Sequence, residues 1–502
     1  MAALPGTVYL VGSGPGDPGL MTVRAVELLT TADVIVHDRL IPDGSLLLAR
    51  DDAELISVGK EGGGPSTPQD EINRIIVEQG KAGKSVVRFK GGDSFVFGRG
   101  GEEALVLQAE GIPFEVVPAV TSGIAAPATA GIPVTQRGMA SAVALVTGHE
   151  DPTKPETALD YEGLAAFPGT LVLYMGVKRL PQITSSLIKA GRRADEPAAL
   201  VMKGTLGGQK AVTATLETLA EAGEAAGIKA PAITLIGEVA SLREDLAWFE
   251  KRPLHGRRIA VTRARAQAGS LSAKLSSLGA ETVEVPTIRT EPLDEGVALN
   301  PSGYDLLCVT STNSVPLLLN RLRAGGFDVR ALAGVTVAAI GPGTAKALLS
   351  IGIEADIVPE RSIAEALVEA IASSGKTYGK ALIVRAEEAR DVLPDSLTAA
   401  GTEVTVVPLY RTVREDLSDA ERAALASADT VTFTSASTVR NLLESCGGVE
   451  GLVDSDGNRP RLASIGPITS EELTVHGLTP DIEATKHDVE GLVEALIADA
   501  GA

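Results

Sequence analysis

Five apolar runs in the first quarter of the chain each end in residues able to meet a ligand. "TVYLV" is followed by Gly12, Ser13, Gly14, Pro15, Gly16 and Asp17; "DVIV" by His37, Asp38 and Arg39; "LISV" by Gly59, Lys60 and Glu61. "SVVRF" ends in Lys90, Gly91, Gly92 and Asp93, and "FEVV" in Pro118, with Thr121 and Ser122 just beyond. Open α/β sheets bind ligands beyond the carboxyl ends of their strands, so five such ends together mark a site. Glycines there admit backbone close to a ligand, and a carboxylate and an ammonium on neighbouring strand ends suit proton transfer. Taken singly, Asp38 fits a turn aspartate and Lys60 a solvated lysine equally well.

The first loop, "GSGPGDPG", is not a dinucleotide fingerprint. That pattern needs a third glycine where Asp17 stands, and Pro15 removes an amide from the set that would hold a pyrophosphate. No Lys-Ser or Lys-Thr pair follows, so a phosphate loop fails too. What remains is a Gly-Pro-Gly turn that approaches a ligand without demanding phosphate.

The elements that position these loops follow from composition and repeats. The 502 residues exceed one core and predict three or four domains of ordinary size. With 44% apolar residues, only 3% aromatic and 54 glycines, cores of Ala, Val, Leu and Ile in layered α/β architecture are expected. A formal charge of -20 opposes nucleic acid or anionic membrane as partner, and an anionic substrate then needs a local basic pocket. Cys308 and Cys446 give no disulfide framework, and His37, His149, His255, His476 and His487 have no metal spacing, so no metal site is expected. No charged leader precedes an apolar stretch and no apolar run has membrane-spanning length; a cytoplasmic protein is expected.

The second half repeats itself. "YDLLCVTSTNSVPLLL" matches "ADTVTFTSASTVRNLL", and "VAAIGPGTAKALLSIGIEADIVP" matches "LASIGPITSEELTVHGLTPDIEA". Pro286 and Pro408, Thr310 and Thr434, and Gly341 and Gly466 stand 122, 124 and 125 positions apart. Each copy alternates short β-branched runs with amphipathic segments and reads as a doubly wound parallel sheet. "VPTIRT" and "VPLYRT" are the candidate connections between lobes. The charged, Pro-broken stretch Trp248 to Arg258 reads as a linker between the halves.

In order and spacing, "VYLVGSGPGDPGLMT", "VIVHDRL", "VVRFKGGDSFVFGRGGEE", "VTSGIAAPATAGIPVTQRG", "VTGH", "LYMGV" and "GRRADEPAALVMKGT" resemble the tetrapyrrole methylase family, most closely uroporphyrinogen-III C-methyltransferase, over about residues 5 to 245. The resemblance implies two α/β lobes with S-adenosylmethionine between them. Cofactor contacts would fall on Pro15, Gly91, Gly92, Asp93, Val96, Thr121, Ser122, Met175 and Gly204, with Asp38 as proton acceptor and Lys60 as proton donor. A porphyrinogen pyrrole is electron-rich at carbon and attacks a sulfonium methyl directly, so the protein must align the partners and manage one proton per transfer. Arg39, Arg88 and Arg137, with Lys90 and Arg99 nearby, are the expected basic pocket for the eight substrate carboxylates. The chain departs from the family at Ser94, where proline is usual, at Gln136, where histidine is frequent, and in the loop Glu61 to Gln69.

From about Gly256 onward the chain resembles uroporphyrinogen-III synthase, in its duplicated "IGPxT" segments and "VPLYRT". That family closes hydroxymethylbilane to uroporphyrinogen III without a cofactor, needing a proton donor for the departing hydroxide. Tyr410 matches the family's best candidate for that acid, and its counterpart in the first copy is Ile288. Ser311, Thr344, Ser435 and Thr469, at helix starts, are candidate contacts for the bilane carboxylates, or simple helix caps.

The expected architecture is therefore α/β throughout: a two-lobed tetrapyrrole methylase fold followed by two similar doubly wound α/β lobes of uroporphyrinogen-III synthase type. The boundaries are 1–248 (lobes about 1–118 and 119–248), a linker at 249–256, and 257–502, with one lobe of about 257–286 plus 411–502 and the other of about 288–408. The implied function is bifunctional: cyclisation of hydroxymethylbilane, then methylation of uroporphyrinogen III at C-2 and C-7 to precorrin-2, toward sirohaem or cobalamin. A homodimer through the first half is implied by the resemblance. The alternative is another transferase of the same family with a non-catalytic, tetrapyrrole-binding second half.

Overall fold

The computed structural model describes residues 2–42, 44–50, 52–59, 67–148, 159–263, 265–293, 297–453 and 457–501, with the side chains of 265–268 excepted. Four five-stranded sheets carry the chain.

The first sheet contains β1 (Val8–Gly12), β2 (Val34–His37), β3 (Glu54–Ser57), β4 (Val86–Lys90) and β5 (Phe114–Val117), in the order β3-β2-β4-β1-β5, every pair parallel. Val8, Leu10, Val34 and Val86 enter one core while Tyr9, Val11, Ile35 and Val87 enter another. A parallel sheet covered on both faces needs such unbroken apolar strands. The connections leaving the neighbours β1 and β4 run in opposite directions, to β2 and to β5, so their carboxyl ends meet at a switch point where such sheets bind ligands.

The second sheet holds β6 (Val143–Thr147), β7 (Thr170–Tyr174), β8 (Pro197–Met202), β9 (Lys210–Thr215) and β10 (Ala232–Ile236), in the order β6-β7-β10-β8-β9. Only β6 and β7 pair in parallel. Antiparallel pairing lets the chain turn from β8 to β9 through 203–209. Arg192 anchors one end of this sheet. It is 6% exposed, pairs with Glu196 at 2.7 Å and donates to the carbonyls of Leu164, Phe167 and Gly169.

The second half supplies β11 (Arg258–Val261), β12 (Glu281–Glu284), β13 (Ile288–Pro292), β14 (Leu306–Val309), β15 (Thr336–Ala339), β16 (Lys380–Ala386), β17 (Glu403–Arg414), β18 (Thr430–Phe433), β19 (Arg461–Ser464) and β20 (Ile482–Glu483). One sheet runs β12-β11-β18-β19-β20, all parallel; the other runs β13-β17-β16-β14-β15, parallel except for β13 against β17. The sequence copies and the sheets do not coincide. β11 and β12 of the first copy join β18, β19 and β20 of the second, because "VPTIRT" and "VPLYRT" carry the chain across as the pair β13–β17, with Ile288 opposite Arg414 and Pro292 opposite Tyr410. Each lobe is thus an exchange between copies, not one copy folded alone.

The two halves touch through the 203–209 turn. A Cβ on Gly207 would lie 2.2 Å from the carbonyl carbon of Ala280, and Lys203 faces Glu281 at 3.5 Å. The segment 249–256 is packed as well: Phe249 and Leu254 are buried, and Arg252 lies over the Phe249 ring at 4.3 Å.

Arg192→Met would strand Glu196 and three carbonyl groups. Removing one partner of a buried pair costs about 3 kcal/mol, which lowers the unfolding transition of a region this size by roughly 6–12 °C. Scanning calorimetry of the full chain measures that fall.

Candidate functional site

The loops beyond β1, β4 and β5 interlock through backbone. Gly14 and Gly92 exchange hydrogen bonds of 3.1 and 2.8 Å, and the Ser13 amide donates to the Lys90 carbonyl at 2.8 Å. Side chains are excluded here: a Cβ on Gly12 would sit 2.6 Å from that of Ala119, and one on Gly91 would sit 2.3 Å from the Leu40 carbonyl oxygen. Asp93 clasps the same region, its carboxylate accepting the amides of Phe95 and Ala119, each at 2.8 Å. The Gly91-Gly92-Asp93 loop is therefore shaped before any ligand arrives.

The opposite wall comes from the second sheet. Among the described residues the non-glycine positions with positive φ are Phe97, Arg99, Met175, Lys203 and Thr205, all in loops after β4, β7 and β8. Such backbone persists only where its surroundings enforce it, and it gathers at ligand sites. Gly204, between two of these residues, has no room for a side chain, since a Cβ would approach that of Ala126 to 2.3 Å. The Asp17 amide donates to the Thr205 hydroxyl at 3.2 Å, and Gly16 lies against Leu206. The Pro15 turn is thus held on one side by the β4 loop and on the other by the β8 loop.

Tyr174 ties the walls together. Its hydroxyl accepts the Gly123 amide at 2.9 Å and bonds the Thr121 hydroxyl at 2.8 Å, while its ring lies 4.9 Å from that of Phe97. Burial raises the Tyr174 pKa, so it remains a neutral phenol. Val96 packs on the core of the second sheet, Ser122 begins the helix Ser122–Thr129, and Met175 stands 52% exposed. The residues expected to meet a cofactor therefore lie on loops that are joined to one another. Tyr174, Phe97 and Thr205 belong to it as well and escaped the sequence reading, although "LYMGV" contains Tyr174.

Asp38 follows β2 with its side chain 34% exposed, and Arg88 Nη2 reaches its Oδ1 at 2.6 Å. Arg88 corrects an expectation. It is 2% exposed and is engaged by Asp38 and by Glu103, so it cannot meet a substrate carboxylate. Lys90 is also enclosed, paired with Glu103 at 2.7 Å, and burial pushes its pKa down with the Arg88 charge adding to the effect. Arg99 pairs with Glu102. Arg39 and Arg137 are exposed and have no ion pair among the described residues. Lys60 and the loop 61–66 lie outside the described residues.

In the second half, Tyr410 and Ser311, 99 positions apart, come together: the phenol, 5% exposed, donates to Ser311 Oγ at 2.9 Å. Ser311 also accepts the Ser314 amide at 3.2 Å. Ser435 caps the helix Ala436–Cys446 through the Thr438 amide and bonds Ser437. Thr344 and Thr469 differ from expectation. They sit in the helices Pro342–Ser350 and Pro467–Val475 at 3% exposure each, turned into their lobes instead of toward a ligand. No group of three His, Cys, Asp or Glu side chains among the described residues is arranged to hold a metal.

Comparison with known proteins matches residues 7–220 to the family "Tetrapyrrole (Corrin/Porphyrin) Methylases" and residues 269–494 to "Uroporphyrinogen-III synthase HemD". A porphyrin biosynthesis protein HemD of Ruminiclostridium josui is 37% identical over 99% of this chain and 98% of its own length. An S-adenosyl-L-methionine-dependent uroporphyrinogen III methyltransferase of Methanosarcina barkeri is 52% identical over 48% of this chain and 94% of its own length. A solved uroporphyrin-III C-methyltransferase of Thermus thermophilus, complexed with S-adenyl homocysteine, is 40% identical, covering 47% of this chain and 99% of that one, with a TM-score of 0.41. The chain belongs to the porphyrin-biosynthesis HemD proteins, joining a tetrapyrrole methylase to a uroporphyrinogen-III synthase.

Proposed function

We propose that the first half transfers methyl groups from S-adenosylmethionine to C-2 and C-7 of uroporphyrinogen III, giving precorrin-2, and that the second half makes that substrate from hydroxymethylbilane. The boundaries we assign are 1–248 and 257–502. The observation that carries the reading is the set of interlocked loops at Gly14–Gly92 and Asp17–Thr205, whose glycines let backbone pack on backbone beyond the carboxyl ends of β1 and β4, where such sheets bind ligands. A full-length relative with the same two regions supports the pairing of activities.

Bound S-adenosylmethionine supplies an electrophilic methyl carbon. The loops at Pro15, Gly91, Gly92, Asp93, Val96, Thr121, Ser122, Met175 and Gly204 would hold it, and their rigid backbone aligns the partners for direct displacement. Asp38, partly exposed and paired with Arg88, takes the proton that the methylated ring, left cationic by the transfer, loses to become neutral. Lys60 is assigned as proton donor. Arg39 and Arg137 are the cations left to receive substrate carboxylates. In the second half Tyr410 supplies the proton that leaves with hydroxide, passing it through Ser311, with no cofactor assigned there. We assign a cytoplasmic location and a homodimer through the first half; among the described residues no helix is long and apolar enough to cross a membrane.

Purified chain given hydroxymethylbilane and S-adenosylmethionine should yield a dimethylated product of the type III isomer. Uroporphyrinogen I alone would refute the synthase assignment, and unmethylated uroporphyrinogen III would refute the transferase. Asp38→Asn should slow methylation by about 10²–10⁴-fold, the range of a general base, and leave ring closure unchanged. Tyr410→Phe should slow ring closure by about 10²-fold with methylation intact, as read by separate assays of the two steps.

A further inference from the structure

Asp38 is held from behind by a chain of three charges, making four with its own. Arg88 Nε reaches Glu103 Oε1 at 3.1 Å while Arg88 Nη2 reaches Asp38, and Lys90 Nζ reaches the same Glu103 oxygen at 2.7 Å. Two cations face two anions, and of the four only Asp38 is partly exposed; Glu103 is fully enclosed. Gln69 Nε2 adds a third donor to Glu103 Oε1 at 3.2 Å, while Glu103 Oε2 is buried with no partner among the described residues.

Stability is a poor reason for this arrangement. Taking such groups out of water costs several kcal/mol per ion, and apolar packing of similar volume is commonly as stabilising or more so. An orphaned carboxylate oxygen adds to the cost. Geometry supplies a better reason. Glu103 grips the Nε side of the guanidinium, and the carbonyls of Val36 and Phe89 accept from Nη1 at 3.3 and 3.5 Å. With the planar fork fixed at both ends, Nη2 has one direction left, toward Asp38.

We propose that Glu103 is a positioning residue for methyl transfer, which acts through Arg88 to hold the Asp38 carboxylate in its working orientation. The assignment rests on Asp38 being the proton acceptor. Lys90 balances the charge that Glu103 brings inside.

Paired variants of the full chain separate positioning from charge balance. Glu103→Leu with Lys90→Met removes an anion and a cation together and keeps the interior neutral, and thermal unfolding checks its fold beside the parent. Its methylation kcat should fall by roughly 10- to 100-fold, as for a displaced catalytic group, with KM and the calorimetric affinity for S-adenosylhomocysteine within about 2-fold of the parent. Glu103→Gln with Lys90→Met returns an acceptor for Arg88 Nε and should recover most of the lost kcat. A parental kcat in the first double variant, or equal losses in both, would overturn the assignment. Full activity in Asp38→Asn would instead overturn the reading beneath it.

Discussion

The site depends on two backbones meeting with no side chain between them. The connections from β1 and β4 leave neighbouring strands for opposite faces of the sheet, and they meet at Gly14 and Gly92 before they part. The reciprocal hydrogen bonds fix the meeting, and Gly12 and Gly91 clear space for Ala119 and Leu40 beside it. Once it is set, the misfits in the first loop make sense. Pro15 stands where no amide is required. Asp17 turns its carboxylate to the Gly19 amide, capping the short helix Pro18–Leu20, and gives its own amide to Thr205. A glycine at position 17 would lose the cap.

Charge is handled by enclosure. A chain of net charge -20 that is to accept a polyanion needs local cations, and the sequence suggests five, Arg39, Arg88, Lys90, Arg99 and Arg137. Three of them are already balanced: Arg88 and Lys90 by Glu103 and Asp38, Arg99 by Glu102. Counting basic residues near a motif therefore overstates the field that a substrate meets. The cations left facing solvent, Arg39 and Arg137, stand on different loops.

The strand ends were legible because an apolar run that stops at glycine and polar residues has few other readings. Their mutual contacts were not, since they join positions as distant as Asp17 and Thr205. Arg88 shows a sharper limit. Its place in "VVRFK" invites the inference that one strand face is solvated, but β4 lies in the middle of a sheet with a core on each side, so all five of its residues are buried. Tyr174 was hidden for a related reason: an aromatic residue ending an apolar strand reads as packing, and only tertiary structure reveals what its hydroxyl holds. Thr344 and Thr469 mark helix starts correctly, yet position along a helix does not fix which way a side chain points across the lobe.

Duplication in the second half sets up paired sites that the sequence then makes unequal. Ser311 and Ser435 are repeat equivalents, each following an apolar strand and opening a helix. Tyr410 and Ile288 are equivalents too, on the two strands that join the lobes. Because β17 continues in pairing with β16 before it crosses to β13, Tyr410 is delivered beside the end of β14, where its phenol reaches Ser311. Ile288 brings no donor to the other lobe, and Ser435 turns to its own helix and to Ser437. The proposed ring closure, in which one hydroxide leaves from one end of a linear bilane, calls for a proton at one place only. The exchange of strands between copies builds two matched walls, and a single isoleucine-to-tyrosine difference between the copies gives a phenol to one of them alone.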